Sequence, residues 1–271
     1  MKNFGIFLRP NVEGMDEIVH RLSEFAKAHS LHLFFEKDNA YAIRGIDFEE
    51  MEKCCDMLIS FGGDGTLIWA LHQISSLPIL GVNAGNLGFL TGLRLGDFFD
   101  FFPLLLRGEF EILPHSMFSV FLDGQRIGRI LNEVLISKKT FPAMIEIEAK
   151  INQKMFNHYR CDGLIIATPT GSTAYNISAG GSVVYPYCKN ILLTPLAPHS
   201  LTQRPMILGS DVHLEFEVMQ EAQIIIDGQE VFDFSPKSSL RVCDDGESAR
   251  LIYPKERDYF MVLREKFSWG D

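Results

Sequence analysis

The stretch Met57-Leu58-Ile59-Ser60-Phe61-Gly62-Gly63-Asp64-Gly65-Thr66 places an apolar run directly before a glycine-rich turn. The run 57–61 is typical of a buried strand, and residues from about 66 to 74 have a helical pattern. Glycines let successive backbone N–H groups approach an anion without obstruction by Cβ atoms, and a helix N-terminus adds a favourable dipole. The stretch therefore predicts a phosphate-binding turn between a strand and a helix.

Asp64 is an unexpected residue in such a turn, because its carboxylate repels phosphate unless it holds a cation or accepts a proton. Both are tasks in phosphoryl transfer. The alternative for residues 62–66 taken alone is a tight turn in which Asp64 serves only as a helix N-cap. Other segments of the chain must decide between these two interpretations.

The composition is that of a globular protein. The chain has 271 residues, of which 46% are hydrophobic and 22% charged, enough to bury one large core or two moderate ones.

No apolar stretch approaches the roughly 20 residues that a membrane span needs, and the chain opens directly into a strand-like run, so we expect a cytoplasmic protein. The net charge of −10 argues against nucleic-acid or acidic-membrane partners. A polyanionic ligand would then have to be attracted locally, by a divalent metal and a few cations such as Arg160.

The cysteines and histidines do not indicate a metal centre. Five cysteines form no C-x-x-C pair, and the eight histidines show no H-E-x-x-H spacing. We therefore expect free thiols and no tightly held zinc. The cysteines are Cys54, Cys55, Cys161, Cys188 and Cys243.

Strand-like and helix-like patterns alternate over the first hundred residues, which predicts a parallel sheet with helices on its faces. Ligands of such sheets lie beyond the carboxyl ends of the strands, where both the turn 62–66 and a second glycine-rich loop, 81–91, fall. Strands are expected at 3–8, 31–36, 56–61 and 77–82, with helices at 15–29 and within 96–108.

After Gly108 the pattern changes to alternating, β-branched stretches with hairpin turns, which predicts a mostly antiparallel sheet. One of these strands should run through 126–137 with Asn132-Glu133 in its middle. We therefore expect an α/β N-terminal domain with a mostly parallel sheet at 1–108 and a β-rich C-terminal domain at 109–256. The tail, 257–271, is expected to pack back on the first domain.

A second candidate segment runs from Arg160 to Gly181. A buried strand there ends in a turn rich in hydroxyls and glycine, followed by Tyr175, which suits recognition of a ribose and an aromatic base. Asp162 and Glu133 are carboxylates in apolar surroundings, where a charge needs partners. The alternative for each is a turn residue or a strand residue that faces solvent.

These segments together resemble the NAD kinase family over nearly the whole chain. The GGDGT turn alone is shared with diacylglycerol and sphingosine kinases and, in related form, with phosphofructokinases, whereas the run from Thr168 to Tyr175 is far more specific. The segments that carry the resemblance are 62–66, the loop 81–91 with Asn86-Leu87-Gly88-Phe89-Leu90, Asn132-Glu133, 162–178, 193–205 and Asp227-Gly228-Gln229.

The resemblance implies a fold like that of NAD kinases and diacylglycerol kinases, with a cleft between the two domains. It implies phosphorylation of the 2′-hydroxyl of the adenosine ribose of NAD to give NADP. ATP would be the phosphoryl donor, with other nucleoside triphosphates or polyphosphate used in some members, and a divalent metal, Mg²⁺, would assist. A homodimer or homotetramer is the implied assembly.

By the same resemblance, Asp64 would accept the proton of the 2′-hydroxyl, with Gly65 beside the ribose. A carboxylate is too weak a base to ionise an alcohol outright, so positioning should dominate, and it can contribute roughly 7–11 kcal/mol. No residue is assigned as a metal ligand. The other residues that the resemblance assigns to NAD binding are Asn132, Glu133, Arg160, Asp162, Thr173, Ala174, Tyr175, Asn176, Ile177, Ser178, Ala197 and Gln229.

The chain departs from the family after Glu111. Many members continue with an acidic pair and an arginine, whereas this chain has Ile112-Leu113-Pro114-His115, so the contact usually made by that arginine is not expected. Two other functions are alternatives to that of a NAD kinase. A lipid kinase should carry a basic, membrane-facing surface, which the net charge disfavours, and a non-catalytic dinucleotide sensor should be able to dispense with Asp64.

Overall fold

The computed structural model describes residues 1–9, 14–38, 45–85, 88–140 and 143–270. Asn86 and Leu87, which belong to the second glycine-rich loop, lie outside the described residues. The chain forms two compact units, the first comprising Met1–Pro114 and Arg250–Asp271 and the second His115–Ala249. Within the described ranges, no helix is both long and apolar enough to cross a membrane.

The first unit is built on a largely parallel sheet with helices. Its strands are β1 (Asn3–Leu8), β2 (His32–Phe35), β3 (Met57–Gly62), β4 (Ile79–Asn83), β5 (Leu93–Arg94), β6 (Glu111–Ser116) and β19 (Ser248–Tyr253). Its helices are α1 (Met15–His29), α2 (Phe48–Cys54), α3 (Asp64–Gln73), α4 (Phe98–Leu106) and α6 (Tyr259–Phe267). The unit boundaries fall within β6 and β19, so these two strands reach beyond the first unit.

The sheet order is β2-β1-β3-β4-β19-β6, with β5 beside β4. The pairs β1–β2, β1–β3 and β3–β4 are parallel, so the chain leaves each of these strands at the same edge of the sheet. Every residue of β3 is buried, as expected for a central strand with both faces covered. The predicted parallel sheet and its helices are confirmed, and β3 delivers the turn 62–66 to the carboxyl edge.

The second unit consists of antiparallel sheets, as predicted. Its strands are β7 (Phe118–Leu122), β8 (Gln125–Ile130), β9 (Glu133–Lys138), β10 (Ile145–Ile151), β11 (Lys154–Cys161), β12 (Gly163–Ala167), β13 (Asn190–Leu196), β14 (Met206–Gly209), β15 (Leu214–Val218), β16 (Ala222–Ile226), β17 (Glu230–Phe234) and β18 (Leu240–Cys243), with a short helix, α5 (Tyr175–Ser178). One sheet has the order β11-β10-β15-β18-β7-β8 and the other β14-β13-β12-β9-β16-β17. A single cluster of buried aliphatic and aromatic side chains contains residues from both.

The expectation of one continuous strand through 126–137 is wrong. The chain breaks after Ile130, so that β8 belongs to one sheet and β9 to the other. Asn132 therefore lies in the crossing between sheets, and Glu133 is the first residue of β9 rather than the middle of a strand. At the break, the backbone N–H groups of residues 131–133 donate to the carboxylate of Asp227, which lies in a distant turn. A local sequence pattern cannot reveal such a contact.

Candidate functional site

Asp64 is the first residue of α3 and directly follows the turn from β3. Its carboxylate accepts hydrogen bonds from three successive backbone N–H groups, those of Phe89 (2.7 Å, to Oδ2), Leu90 (3.3 Å, to Oδ1) and Thr91 (3.0 Å, to Oδ1). The N-cap of α3 is Gly63, with extended backbone and no capping side chain. The interpretation of Asp64 as a helix N-cap is therefore wrong, because its oxygens bind the second glycine-rich loop instead.

That loop is held in shape by its own side chains. The amide oxygen of Asn83 accepts the N–H of Gly85 (2.8 Å), and its Nδ2 donates to Oγ1 of Thr91 (3.1 Å). The same Oγ1 accepts the N–H of Gly88 (3.0 Å). These bonds fix the backbone on both sides of the three amides that point at Asp64.

Gly88 allows the close approach between the loop and Asp64. A Cβ atom at this position would fall against the carboxyl carbon and both carboxyl oxygens of Asp64. Gly63 and Gly65 differ, since a Cβ at either would meet no atom within 4 Å. The space above the turn is open, as the approach of a ligand to its backbone requires.

The carboxylate of Asp64 retains room for one more donor. A carboxylate offers about four lone-pair positions, two on each oxygen. Among the described residues, Oδ1 accepts from Leu90 and Thr91, whereas Oδ2 accepts only from Phe89. Oδ2 is therefore the oxygen that can accept a hydrogen bond from a substrate hydroxyl.

The C-terminal segment supports the same loop. The guanidinium of Arg257 donates to the carbonyl oxygen of Phe89 and lies over the ring of Tyr253, 3.9 Å from its centroid. The rings of Phe89 and Phe267 have centroids 5.4 Å apart. Both α6 and the residues before it thus brace the backbone that holds Asp64.

In the second unit, Glu133 is a buried carboxyl group. It is 9% exposed, and its Oε2 has no hydrogen-bond partner among the described residues. Burial is the main cause that raises the pKa of Glu133 to about 8, and the negative charge of Asp227 raises it further. A hydrogen bond from the backbone N–H of Tyr175 acts in the opposite direction. This carboxyl group therefore keeps its proton to a higher pH than an exposed glutamate does, and in the protonated form it can donate a hydrogen bond.

In the turn after β12, some side chains are buried and support the structure, whereas others are exposed. Asn176 is fully buried, its Nδ2 donating to the carbonyls of Ser172 and Ser182 (3.1 Å each) and its Oδ1 accepting from Thr194 (2.7 Å). Tyr175 is 45% exposed. The Asn176 amide is thus engaged within the protein, while the ring of Tyr175 is open to a stacking partner.

The other predicted site residues near Tyr175 and Asn176 differ in how exposed they are. Thr173, Ala174 and Ile177 are half-buried and Ser178 is exposed. Gln229 is exposed and lies in the turn between β16 and β17. In the same turn, the N–H of Asp227 donates to the carbonyl of Glu133 (2.9 Å). Asn132, Glu133, residues 173–178 and Gln229 therefore lie around the carboxyl end of β12 and the start of β9, which pair in register Ala167 to Glu133.

Arg160, Asp162 and Ala197 lie at the other end of β12. The N–H of Asp162 donates to the carbonyl of Leu196 (2.9 Å), and its carboxylate pairs with Nζ of Lys138 (2.6 Å). Arg160 and Ala197 are exposed, and Ala197 has a positive φ of 43°. Because a strand rises about 3.3 Å per residue, this group is roughly 15–20 Å from Glu133. The structure does not bring the two groups together within one chain.

No side-chain cage for a metal is present in the described part of the chain, where no three His, Cys, Asp or Glu residues are grouped to hold an ion. The five cysteines are free thiols, as expected. Asp227 is not among the predicted site residues, although the motif Asp227-Gly228-Gln229 contributes to the family resemblance. Its Asp-Gly pair is the usual sign of a hairpin turn, and that local role hides the contacts it makes elsewhere.

Comparisons with known proteins cover both units. A family model described as the ATP-NAD kinase N-terminal domain matches residues 4–110, and one described as the ATP-NAD kinase C-terminal domain matches residues 131–253. The chain is 43% identical to the NAD kinase of Helicobacter hepaticus, covering 98% of this chain and 96% of the relative. It is 41% identical to the NAD kinase of Wolinella succinogenes, covering 100% and 97%.

Two solved structures are similar in fold. Yeast NADH kinase complexed with NADH matches with a TM-score of 0.89 at 22% identity, over 100% of this chain and 89% of that one. An NAD kinase from Archaeoglobus fulgidus in complex with ATP matches with a TM-score of 0.79 at 26% identity, over 99% of both chains. The similarity to yeast NADH kinase, at 22% identity, shows a shared fold only.

Proposed function

The chain belongs to the NAD kinase family, and from that membership we propose that it transfers a phosphoryl group from ATP to the 2′-hydroxyl of the adenosine ribose of NAD. It is a kinase that phosphorylates NAD to NADP with ATP. What we propose in addition is which hydroxyl of NAD accepts the phosphoryl group and which residues act on that hydroxyl. The matches over the whole chain favour this function over a lipid kinase or a dinucleotide sensor.

The observation that carries the proposal is the fixed carboxylate of Asp64. Three backbone N–H groups hold it, and Oδ2 keeps one position for a further donor. We propose that the 2′-hydroxyl donates to Oδ2, which orients the hydroxyl oxygen toward the donor phosphorus. The proton passes to Oδ2 late, as the new P–O bond forms and the bond to the ADP leaving group breaks. The open backbone at Gly63 and Gly65 suits the approach of the ribose or phosphate.

Magnesium fits this site as an ion carried by the donor. Mg²⁺ commonly keeps waters and binds through substrate phosphates with one or two carboxylates, and it does not require a cage of protein ligands. When bound, the ion would neutralise charge on the phosphates.

We assign the nucleoside of NAD to the group around the carboxyl end of β12. The exposed ring of Tyr175 offers a stacking surface for a base, while Asn132 and Glu133 offer polar groups at the start of β9. Thr173, Ala174, Ile177 and Ser178 would shape the pocket. Asn176 supports it from beneath, because its amide is saturated by Ser172, Ser182 and Thr194.

We further propose a homodimer or homotetramer that works in the cytoplasm. Arg160, Asp162 and Ala197 are too far from Glu133 to share one nucleoside, so they would serve either the other half of the same dinucleotide or a dinucleotide bound by a neighbouring copy. Free thiols in all five cysteines agree with a reducing compartment. Mixing inactive Asp64→Asn and Asp162→Ala variants tests the assembly, since shared sites predict that activity partly returns in the hybrid, whereas separate sites predict none.

The direct test of the function is the product. The purified protein is incubated with NAD, Mg²⁺ and ATP, with polyphosphate replacing ATP in parallel, and NADP is measured with an NADP-specific dehydrogenase. That coupling enzyme distinguishes a 2′-phosphate from a phosphate on another hydroxyl. We expect NADP with ATP; phosphorylated NAD that the dehydrogenase does not accept would contradict the proposed acceptor.

A further inference from the structure

Asp227 binds the backbone of the Asn132-Glu133 pair from a turn almost a hundred residues away. Its carboxylate accepts the N–H groups of Leu131 (2.8 Å), Asn132 (2.9 Å) and Glu133 (2.9 Å), and its own N–H donates to the carbonyl of Glu133 (2.9 Å). The side chain is 9% exposed. Four hydrogen bonds thus fix the short segment in which the chain crosses from one sheet to the other.

A hairpin turn does not by itself need this carboxylate. The chain has another Asp-Gly turn in the same unit, Asp123-Gly124, with φ values of 51° and 80° that resemble the 46° and 68° of Asp227-Gly228. Among the described residues, the Asp123 carboxylate accepts one hydrogen bond, from the N–H of Ser239 (2.8 Å). The local conformation is the same, so the three bonds to residues 131–133 are an additional role of Asp227.

The charge of Asp227 also acts on the Glu133 side chain. Two groups face that carboxyl from neighbouring elements, namely the Asp227 carboxylate from the β16–β17 turn and the Tyr175 N–H from α5. A like charge disfavours ionisation and an N–H donor favours it. Burial is the largest cause that raises the pKa of Glu133 to about 8, and its Oε2 has no hydrogen-bond partner among the described residues.

We propose that Asp227 is a positioning residue for the dinucleotide site: its carboxylate aims Asn132 and Glu133 at NAD and sets the electrostatic surroundings of the Glu133 carboxyl. The inference rests on the proposed function, because it takes these two residues as NAD contacts. Asp227 itself has no role in the transfer step. Its effect should therefore appear in NAD binding and in the pH dependence of that binding, with little effect on the use of ATP.

The test uses Asp227→Asn, which keeps the size of the side chain. An amide NH₂ would replace one carboxylate oxygen, so at least one of the three N–H groups would face a donor, and the negative charge would be lost. We expect the KM for NAD to rise about tenfold, equivalent to about 1.4 kcal/mol, and the KM for ATP to change less than twofold. Asp123→Asn, in the matching turn, should leave both constants unchanged.

A second readout does not depend on turnover. The titration of the Glu133 side chain can be followed by carbon NMR, with Glu133→Gln to assign the signal. In Asp227→Asn the midpoint should move down from about 8, because a like charge is removed. Asp227→Glu, which keeps the charge but misplaces it, should raise the KM for NAD while leaving the midpoint closer to that of the wild type.

The outcomes separate this inference from the proposed function. A wild-type KM for NAD together with an unchanged Glu133 midpoint in folded Asp227→Asn would overturn the inference. Equal losses for NAD and ATP with an unchanged midpoint would also overturn it, since they indicate a purely structural role. Absence of NADP from the wild type would refute the proposed function, and the Glu133 midpoint would still report whether Asp227 controls that carboxyl.

Discussion

Gly88→Ala tests whether the loop holds Asp64 in its working position. The new methyl group would fall against the carboxylate of Asp64, so the carboxylate and the loop must move apart. At least one of the bonds from Phe89, Leu90 and Thr91 would be lost. The chemical group that accepts the proton stays, and only its position changes.

The expected size follows from these contacts. A hydrogen bond to a charged group contributes about 1.5–3 kcal/mol, so the free energy of unfolding should fall by about 2–3 kcal/mol. For a protein of this size that is a decrease in Tm of roughly 5–10 °C. Misplacement of a reacting group by about 1 Å costs on the order of 100-fold, so kcat should fall about that much.

The assay compares initial rates of NADP formation at saturating NAD and ATP, and Tm from thermal unfolding. Gly96→Ala is the matched control, because a Cβ there meets no atom within 4 Å and the change tests only the general effect of replacing glycine. We expect the control to keep wild-type kcat. A folded Gly88→Ala enzyme with wild-type kcat and Tm would refute the reasoning.

Two further predictions concern the second unit. Tyr175→Ala should raise the dissociation constant for NAD, measured by calorimetry, by about tenfold or more through loss of a stacking surface, and should affect ATP use less; an unaltered NAD constant would count against the pocket assignment. Because the folded-state pKa of Glu133 is raised from 4.5 to about 8, the folded protein binds more protons than the unfolded chain between these pH values, and stability should fall as pH rises through them, on the order of a few kcal/mol. Glu133→Gln should flatten that part of the pH dependence in denaturant titrations, and an equally steep curve in the variant would contradict it.

The local part of the fold could be predicted from the sequence. The run 57–61, with alternating patterns on either side, was sufficient for a parallel sheet whose strand delivers Asp64 to the carboxyl edge, because burial of both faces imposes a continuous apolar strand. The antiparallel second unit followed from period-two patterns and hairpin turns. Both predictions rest on residue patterns that are local in the chain, although the strands themselves pair with distant ones.

The partners of the carboxylates could not be predicted in this way. Asp64 binds amides 25 to 27 residues further along, and Asp227 binds amides 94 to 96 residues earlier. Neither contact leaves a local pattern, since backbone N–H groups are the same in every sequence. For that reason the break at residue 131 was missed and Asp64 was open to interpretation as a helix cap.

The most direct test of the central claim is a comparison of Asp64→Asn with the wild type in both NADP formation and NAD binding. Asparagine keeps the turn but cannot accept the proton, and it places an NH₂ group against one of the loop amides, so a small loss of stability of about 1–3 kcal/mol is also expected. The account predicts that kcat falls by about 10²–10⁴, the usual contribution of a general base, while the dissociation constant for NAD changes by less than about threefold. Wild-type turnover in folded Asp64→Asn would contradict the account.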